Sequence, residues 1–407
     1  MVDRLGSVVV VGGGLAGLRA CEVLRQHGFD GSLALVGAEN HLPYDRPPLS
    51  KQLLSGAWDA DRCILRTSRD LDALGIELHL GSRAAHLDMA RRSVALGDGS
   101  GLEFDGLVIA TGAQPRPLPG LTGRPGVLTL RDLEDAVALR EVISRPSARL
   151  VIAGAGFIGL EVAATARGLG ADVVVVEPLT VPLERAVGPL VGGVFGSMHR
   201  DHGVDLRLGT RLESLQTGSH AGSGVACHLS DGTSTEGDAL LVAVGVTPST
   251  SWLEGSGLPV SPAGVSCDSS LTVADGVVAA GDLACWPHPR TGETMRVEHR
   301  TNAAEQGEHA ARSLLSDTAS RQAFAPVPYV WSDQYDRKIQ VIGSPRPTDD
   351  PVVVDGSLDE LRFVVLFGRD GRLTGALGCS RPRTLMAYRP LLERGASFAE
   401  ASALTPS

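Results

Sequence analysis

The chain has 407 residues, more than one ordinary core accommodates, so two or three domains are expected. With 43% hydrophobic and 21% charged residues it reads as a soluble globular protein, and a net charge of −10 argues against a nucleic-acid partner. No apolar run nears the roughly 20 residues that span a bilayer, and the six cysteines lack C-x-x-C or C-x4-C spacing, so neither a membrane segment, a redox disulphide nor a metal site is expected and the thiols read as those of a cytoplasmic protein.

The first element is a buried strand over Ser7–Val11, too close to the start to leave room for a signal peptide. It lies in VVVVGGGLAGL (Val8–Leu18) and leads through glycines into a helix of about Leu15–His27. A second strand, Ser32–Val36, is followed by Glu39. Next comes DRPPLSKQLL (Asp45–Leu54). Of 37 Lys and Arg residues only Lys51 in this stretch and Lys338 are lysine, so an ammonium after a double proline raises the question of what a guanidinium could not do there. FDGLVIATGA (Phe104–Ala113) is a further strand ending in glycine.

LVIAGAGFIGL (Leu150–Leu160) then repeats the first pattern. A helix of about Phe157–Leu169, a strand over Asp172–Val176 and Glu177 follow in the same order. Strand, helix, strand is the right-handed unit of a parallel sheet, and two widely separated copies mean two similar domains. Two more strand-plus-glycine runs are DALLVAVGV (Asp238–Val246) and GVVAAGDLA (Gly276–Ala284). A helix is expected from about Thr301–Asn302, with Asn302 and Glu305 as a capping box. Beyond Ser320 come short strands at Tyr329–Ser332, Lys338–Ile342, Val352–Val354, Arg362–Phe367 and Arg372–Leu377, then a closing helix near Thr384–Arg394. The fold class is therefore α/β: two Rossmann-like dinucleotide-binding domains and a small mixed α/β C-terminal domain. The expected boundaries are 1–114 with 243–319, then 115–242, then 320–407.

In Gly12-x-Gly14-x-x-Gly17 the first glycine permits the tight turn, the second admits a pyrophosphate to the backbone, and the third lets helix and strand pack closely. The helix start offers free N–H groups and a positive dipole end, and Glu39 stands where a ribose would be bonded. Gly154, Gly156, Gly159 and Glu177 make the second copy. The bland alternative for either is a tight turn without a ligand. Two copies together point to two dinucleotides, one passing electrons to the other.

With YDRPPLSK, ATGAQPRPLPG, TLRDLEDA, VEHRTNAAEQG and PYVWSDQYDRKIQ added to these motifs, the chain resembles the FAD-dependent NADH:ferredoxin reductases over nearly its whole length. The pairing of RPPLSK with WSDQY is the most specific part. The resemblance implies a glutathione-reductase-like arrangement with FAD and NADH as cofactors. It implies FAD contacts at Gly12, Gly14, Leu15, Ala16, Gly17, Glu39, Arg46, Lys51, Ala84, Thr111, Gly112, Arg131, Gly281 and Asp282, with Asp282 on the ribityl chain and Arg300 and Trp331 close by. It implies NAD(H) contacts at Gly154, Gly156, Ile158, Gly159, Glu177 and Gly245. It implies that Lys51 and Glu161 pair beside the flavin and nicotinamide rings as the catalytic residues, where hydride transfer needs placement and charge balance rather than a general base. The plain alternative for Lys51 is a surface residue capping a helix. The implied partner is an iron–sulfur ferredoxin feeding a monooxygenase such as a cytochrome P450, or a dioxygenase. Docking would rest on local basic residues, Arg300, Arg312, Arg337 and Lys338, with Arg381, Arg383, Arg389 and Arg394 as a second group.

Three positions depart from the family pattern: Arg300 stands for a tryptophan, Ser249 for an asparagine and Val330 for a phenylalanine-like residue. Trp331 has an ordinary reading as a buried strand residue, and His299 reads as structural. Two other readings are an NADH oxidase or peroxidase and a flavoprotein of the apoptosis-inducing-factor type. The first lacks a cysteine between Glu39 and Lys51, and the second lacks a targeting segment and a basic tail.

Overall fold

The computed structural model describes residues 5–121, 123–218 and 224–404. The chain divides into two units. The first takes in residues up to Asp45, Asp61–Gln114 and Thr247–Pro326; the second takes in Arg46–Ala60, Pro115–Val246 and everything from Val327.

The first unit is built on a six-stranded sheet, in the order Thr272–Ala274, Val277–Ala279, Gly106–Ile109, Ser7–Val11, Ser32–Val36 and Glu77–His79. Its inner strands are parallel, with Val8 beside Leu33 on one side and Gly106 on the other. Parallel strands covered on both faces need apolar side chains at every position, and Val8–Val11 meet that need by alternation. Val8 and Val10 point to the face covered by helix Leu15–Gln26 and helix Arg300–Leu315. Val9 and Val11 point to the opposite face, where Leu87 and Val94 of a small antiparallel sheet cover them.

The second unit repeats the plan. Its five strands run Asp205–Leu208, Asp172–Glu177, Arg149–Ala153, Ala239–Val242 and Val127–Leu128, all parallel. Leu150 and Ile152 face helix Phe157–Gly168; Val151 and Ala153 face the antiparallel sheet Leu212–Thr217, Val225–Leu229 and Ser234–Gly237. A five-stranded antiparallel sheet follows, in the order Tyr329–Gln334, Arg337–Gly343, Arg372–Cys379, Arg362–Arg369 and Asp350–Ser357. Ile339, Val341, Phe363 and Phe367 of that sheet share one buried cluster with Leu150, Ile152 and Leu160. Leu54 lies in the same cluster, which explains why Arg46–Ala60 belongs with this unit.

The strands and helices of both glycine turns stand where the sequence places them, within a residue or two. Three expectations fail. The closing helix is two short ones, Pro382–Met386 and Arg389–Glu393, because Pro390 lacks the N–H that would bond back to the preceding turn. The capping box at Asn302 is absent: helix Arg300–Leu315 starts earlier, His299 occupies the N-cap, and Asn302 is buried in the first turn with Nδ2 donating to Val297 O at 3.0 Å. Trp331 is half-buried and stacks on Tyr329, while Ser332 and Gln334 take the inward face. No helix among the described residues is long and apolar enough to cross a membrane.

Candidate functional site

In the first unit the three glycines of the turn differ in what surrounds them. Gly12 has φ +131°, and a Cβ there would lie 2.0 Å from Ala110 O. A Cβ on Gly17 would lie 2.0 Å from Gly12 O. Those two glycines are required by the protein's own packing. Gly14 is not, since a Cβ there would meet nothing within 4 Å. The second glycine therefore borders open space at the head of helix Leu15–Gln26, whose N-cap supplies no side-chain acceptor for the first-turn N–H groups of Leu15 and Ala16. A pyrophosphate fits such a space.

Of the rest of the expected FAD set, Glu39, Ala84, Thr111, Gly112, Gly281 and Asp282 lie in this unit, while Arg46, Lys51 and Arg131 lie in the second. Glu39 accepts a hydrogen bond from Tyr44 Oη at 2.5 Å. Thr111 Oγ1 donates to Ser249 O at 2.7 Å, and Gly112 O accepts from Ser249 N at 2.9 Å, so serve as a clasp at the end of strand Gly106–Ile109. Ala84 is buried in the small antiparallel sheet. Gly281 has φ +88° and donates its N–H to Gln306 Oε1 at 2.8 Å; Asp282 O accepts from Arg296 at 2.8 Å. Three buried donor or acceptor atoms at the start of helix Arg300–Leu315 have no protein partner, His299 Nδ1, Asn302 Oδ1 and Gln306 Nε2. Burial pushes the His299 imidazole down to about 4, so it is neutral near pH 7 with Nδ1 left over. Polar atoms this deep are normally satisfied, and a polar cofactor at the Gly14 end of the sheet is the kind of group that would satisfy them. FAD fits these residues.

In the second unit the pattern recurs. Gly154 has φ +108° with a Cβ position 2.4 Å from Ala243 O, and Gly159 would strike Gly154 O at 2.2 Å. Gly156 again meets nothing within 4 Å, and neither does Gly245, φ +99°. Glu177 is buried, and both of its oxygens accept backbone N–H groups: Ala155 at 2.7 Å and Leu179 at 3.0 Å. The carboxylate thus braces the loop as well as marking the end of the strand. Ile158 is 46% exposed on the first turn. An NAD(H) pyrophosphate and ribose fit this set.

The lysine of RPPLSK is placed by its own segment. Pro47 and Pro48 open a short 3-10 turn, Pro47–Ser50, and Thr165 Oγ1 ties it to the helix by donating to Ser50 O at 2.8 Å. Lys51 Nζ then reaches Glu161 Oε2 at 2.6 Å. Glu161 is 3% exposed and accepts two more hydrogen bonds, from Ser50 Oγ at 2.5 Å and Ser332 Oγ at 2.7 Å. The surface-cap alternative for Lys51 does not hold; its side chain is only 11% exposed. Arg46 donates to Arg131 O nearby in the same unit, and Arg131 N donates to Asp135 Oδ2 at 2.8 Å.

The basic residues offered for docking all have acidic neighbours. Arg300 pairs with Asp45 at 2.6 Å, Arg312 with Glu308, Arg337 with Asp336 at 3.4 Å and Lys338 with Asp333 at 3.9 Å. Arg300 and Arg312 lie in the first unit, Arg337 and Lys338 in the second. In the other group Arg381, Arg389 and Arg394 also pair with acids.

Ser50, Thr165, Ser332 and Gln334 were not singled out from the sequence. The signal available was the alternation S-x-Q inside WSDQY, two polar residues on one face of a strand.

Residues 6–307 match the pyridine nucleotide-disulphide oxidoreductase model, and 329–407 match a reductase C-terminal model. The chain belongs to the pyridine nucleotide-disulphide oxidoreductase family. Rhodocoxin reductase of Rhodococcus erythropolis is 37% identical over 95% of this chain and 89% of its own length. The ferredoxin–NAD(+) reductase component of the anthranilate 1,2-dioxygenase system of Burkholderia cepacia is 34% identical over 95% and 94%. The crystal structure of a covalent putidaredoxin reductase–putidaredoxin complex superposes with a TM-score of 0.90 at 32% identity, covering 96% of this chain and 93% of that one. The disulphide in the family's name has no counterpart here, since all six cysteines are free.

Proposed function

We propose that the chain is an FAD-dependent NADH:ferredoxin reductase. It takes a hydride from NADH and delivers single electrons to an iron–sulfur ferredoxin that serves a monooxygenase, such as a cytochrome P450, or a dioxygenase. The observation that carries this is the pair of open second glycines, Gly14 and Gly156, one at the head of a helix in each unit, in a chain whose cysteines are all free. With no redox disulphide to pass electrons on, the two dinucleotide sites suit an outlet to a protein electron carrier. The name of the Burkholderia cepacia relative, a ferredoxin–NAD(+) reductase component of a dioxygenase system, supports the same partner class.

Bound FAD supplies the conversion of a two-electron donor into one-electron steps. The protein's own residues do the placing. Leu15 and Ala16 offer N–H groups to the FAD pyrophosphate, and Glu39 and Asp282 bond its hydroxyls. Gly156 admits the NADH pyrophosphate, and Glu177 takes the adenine ribose and disfavours a 2′-phosphate. Lys51 holds a positive charge in a fixed position, and Glu161 offsets the cost of burying it. The overall reaction is NADH plus two oxidised ferredoxins giving NAD+, two reduced ferredoxins and one proton.

The proposed organisation is an FAD part over 1–114 and 243–319, an NAD part over 115–242 and a C-terminal part over 320–407, acting in the cytoplasm. The test is NADH-driven cytochrome c reduction with and without added ferredoxin, alongside oxygen consumption. Ferredoxin-dependent reduction of two cytochromes per NADH is expected. Oxygen consumption of equal size with or without ferredoxin means an oxidase and sinks the reading.

A further inference from the structure

Behind Glu161 lies a buried line of polar side chains, all in the second unit. Gln334 Nε2 donates to Ser332 Oγ at 3.0 Å. Gln334 Oε1 is 2.9 Å from His199 Nε2, and His199 Nδ1 is 3.0 Å from Tyr335 Oη. His199, Ser332 and Gln334 have no exposed surface. Packing does not call for them: Ser332 stands opposite Ile339 across the hairpin, in a neighbourhood of Leu160, Phe195 and Phe363. An apolar residue at any of these positions would avoid the cost of burying polar atoms.

The directions of the bonds follow from valence. Ser332 has one proton. Its oxygen accepts from Gln334, so that proton goes to Glu161 Oε1 at 2.7 Å. Gln334 presents its carbonyl to His199, so His199 carries its proton on Nε2. A neutral imidazole then has Nδ1 as an acceptor, which takes the Tyr335 hydroxyl. Burial keeps His199 neutral by pushing its pKa down to about 4. Every bond points toward the carboxylate: Tyr335, His199, Gln334, Ser332, Glu161. Turning the line around would set the Ser332 lone pairs against Glu161 Oε1, so carboxylate and tautomer fix each other.

The far end is also held deliberately. Tyr335 sits at the tip of the hairpin with φ +55°, a region bulky residues seldom adopt. His202 stacks on its ring with centroids 3.6 Å apart, and His202 is itself fixed through Nδ1 to Met198 O at 2.8 Å.

We propose that His199, Gln334 and Ser332 are positioning residues for the Glu161–Lys51 pair, a one-way line of hydrogen bonds that starts at the Tyr335 hydroxyl and aims the Ser332 proton at the carboxylate. It rests on the reading of Lys51 and Glu161 as the charge pair of an NADH:flavin reaction. The line fixes the rotamer of Glu161, and Glu161 fixes the ammonium.

The chain's two lysines make this measurable without turnover. Protein labelled with 13C-lysine gives two side-chain sets, and Lys51→Met assigns them. His199→Phe and Ser332→Ala are expected to move the Lys51 signals and leave Lys338 in place for His199→Phe. Stopped-flow flavin reduction by NADH is expected to slow about ten-fold in Ser332→Ala, the worth of one hydrogen bond to a charged group, with NADH Kd unchanged. Tyr335→Phe, at the half-buried hairpin tip, is expected to move Lys51 in the same direction by less, and it serves where a core variant does not fold. Lys51 signals unmoved in both folded His199→Phe and Tyr335→Phe protein would overturn the proposal. A wild-type protein that does not oxidise NADH would instead overturn the functional reading, while the lysine signals still decide the line.

Discussion

Replacing Glu161 by Ala should cost far more than replacing the whole ion pair. The carboxylate oxygen and Lys51 Nζ are 2.6 Å apart, with side-chain exposures of 4% and 11%. At an effective dielectric near 20, that separation corresponds to roughly 6 kcal/mol of attraction, most of it offset by desolvation. The measurable quantity is the cost of orphaning a partner, about 3–5 kcal/mol for a buried pair. Glu161→Ala leaves Lys51 without a counter-charge and leaves Ser50 and Ser332 without their acceptor, so it belongs at the upper end. Lys51→Met leaves Glu161 with two hydroxyl donors, which softens its loss to about 3 kcal/mol. The double variant Lys51→Met/Glu161→Leu removes both charges and is expected to lie within about 2 kcal/mol of wild type. Native-state hydrogen exchange of the Phe157–Gly168 amides reads this locally and does not require the whole chain to unfold in one step. An exposed pair would give single losses of about 0–1 kcal/mol that simply add. Additive effects of that size would refute the account of Lys51 as a buried, compensated charge.

Acid should destabilise both units between pH 6.5 and 4, because His199 and His299 are held near 4 by burial. The unfolded imidazoles bind a proton below 6.5 and the folded ones only below about 4, so stability falls as pH drops through that window, by about 3 kcal/mol per histidine; urea midpoints against pH check it, with a flatter curve in His199→Phe. Gly14→Ala and Gly156→Ala should fold normally, since neither Cβ meets protein, yet lose FAD retention and NADH affinity respectively; Gly12→Ala should fail to fold, and flavin content, NADH KM and circular dichroism separate the three. NADH should be preferred to NADPH, since a 2′-phosphate about 4 Å from Glu177 meets roughly 4 kcal/mol of repulsion per charge pair before relaxation; equal kcat/KM for the two coenzymes counts against it. Charge reversal at Arg312 and Lys338 together should raise KM for ferredoxin several-fold and leave NADH-to-ferricyanide activity intact, and ferredoxin reduction should slow with salt; a parallel fall in both activities would remove these residues from docking.

The two glycine turns were legible because every part of them is local. A run of valines buried on both faces, a turn whose first and last glycines leave no room for a side chain, and a helix that starts within three residues leave little choice of structure. Other elements depend on distant partners. Asn302 followed by Glu305 looks like a cap, yet Val297 O draws Asn302 inward and the helix starts at Arg300. Trp331 looks like the inward residue of its strand on hydrophobicity alone. The buried carboxylate of Glu161, 171 positions earlier in the chain, requires a donor from that strand, and Ser332 faces inward to supply it. The antiparallel sheets at Ala84–Glu103 and Leu212–Gly237 carry short, mixed strands whose pattern stands out only once the parallel sheet they cover is present.

The choice of lysine at position 51 has a geometric reason. Its Nζ lies 2.6 Å from Glu161 Oε2, 3.3 Å from Pro47 O and 3.4 Å from Ser50 Oγ. Three oxygens around one nitrogen match the three donors of an ammonium. A guanidinium carries five donors in a planar fork, and a space that supplies three clustered acceptors would leave part of the fork buried and unmet. The segment that presents this nitrogen is pinned at three places: the double proline sets the turn, Thr165 holds Ser50 O, and Leu54 is buried beside Leu160. All three anchors belong to the unit that carries Gly156 and Glu177, although Lys51 is closer in sequence to Gly12 and Glu39. The charge pair is therefore assembled entirely within that one unit, and an arginine in a chain otherwise so rich in arginine would not fit the place that has been built for it.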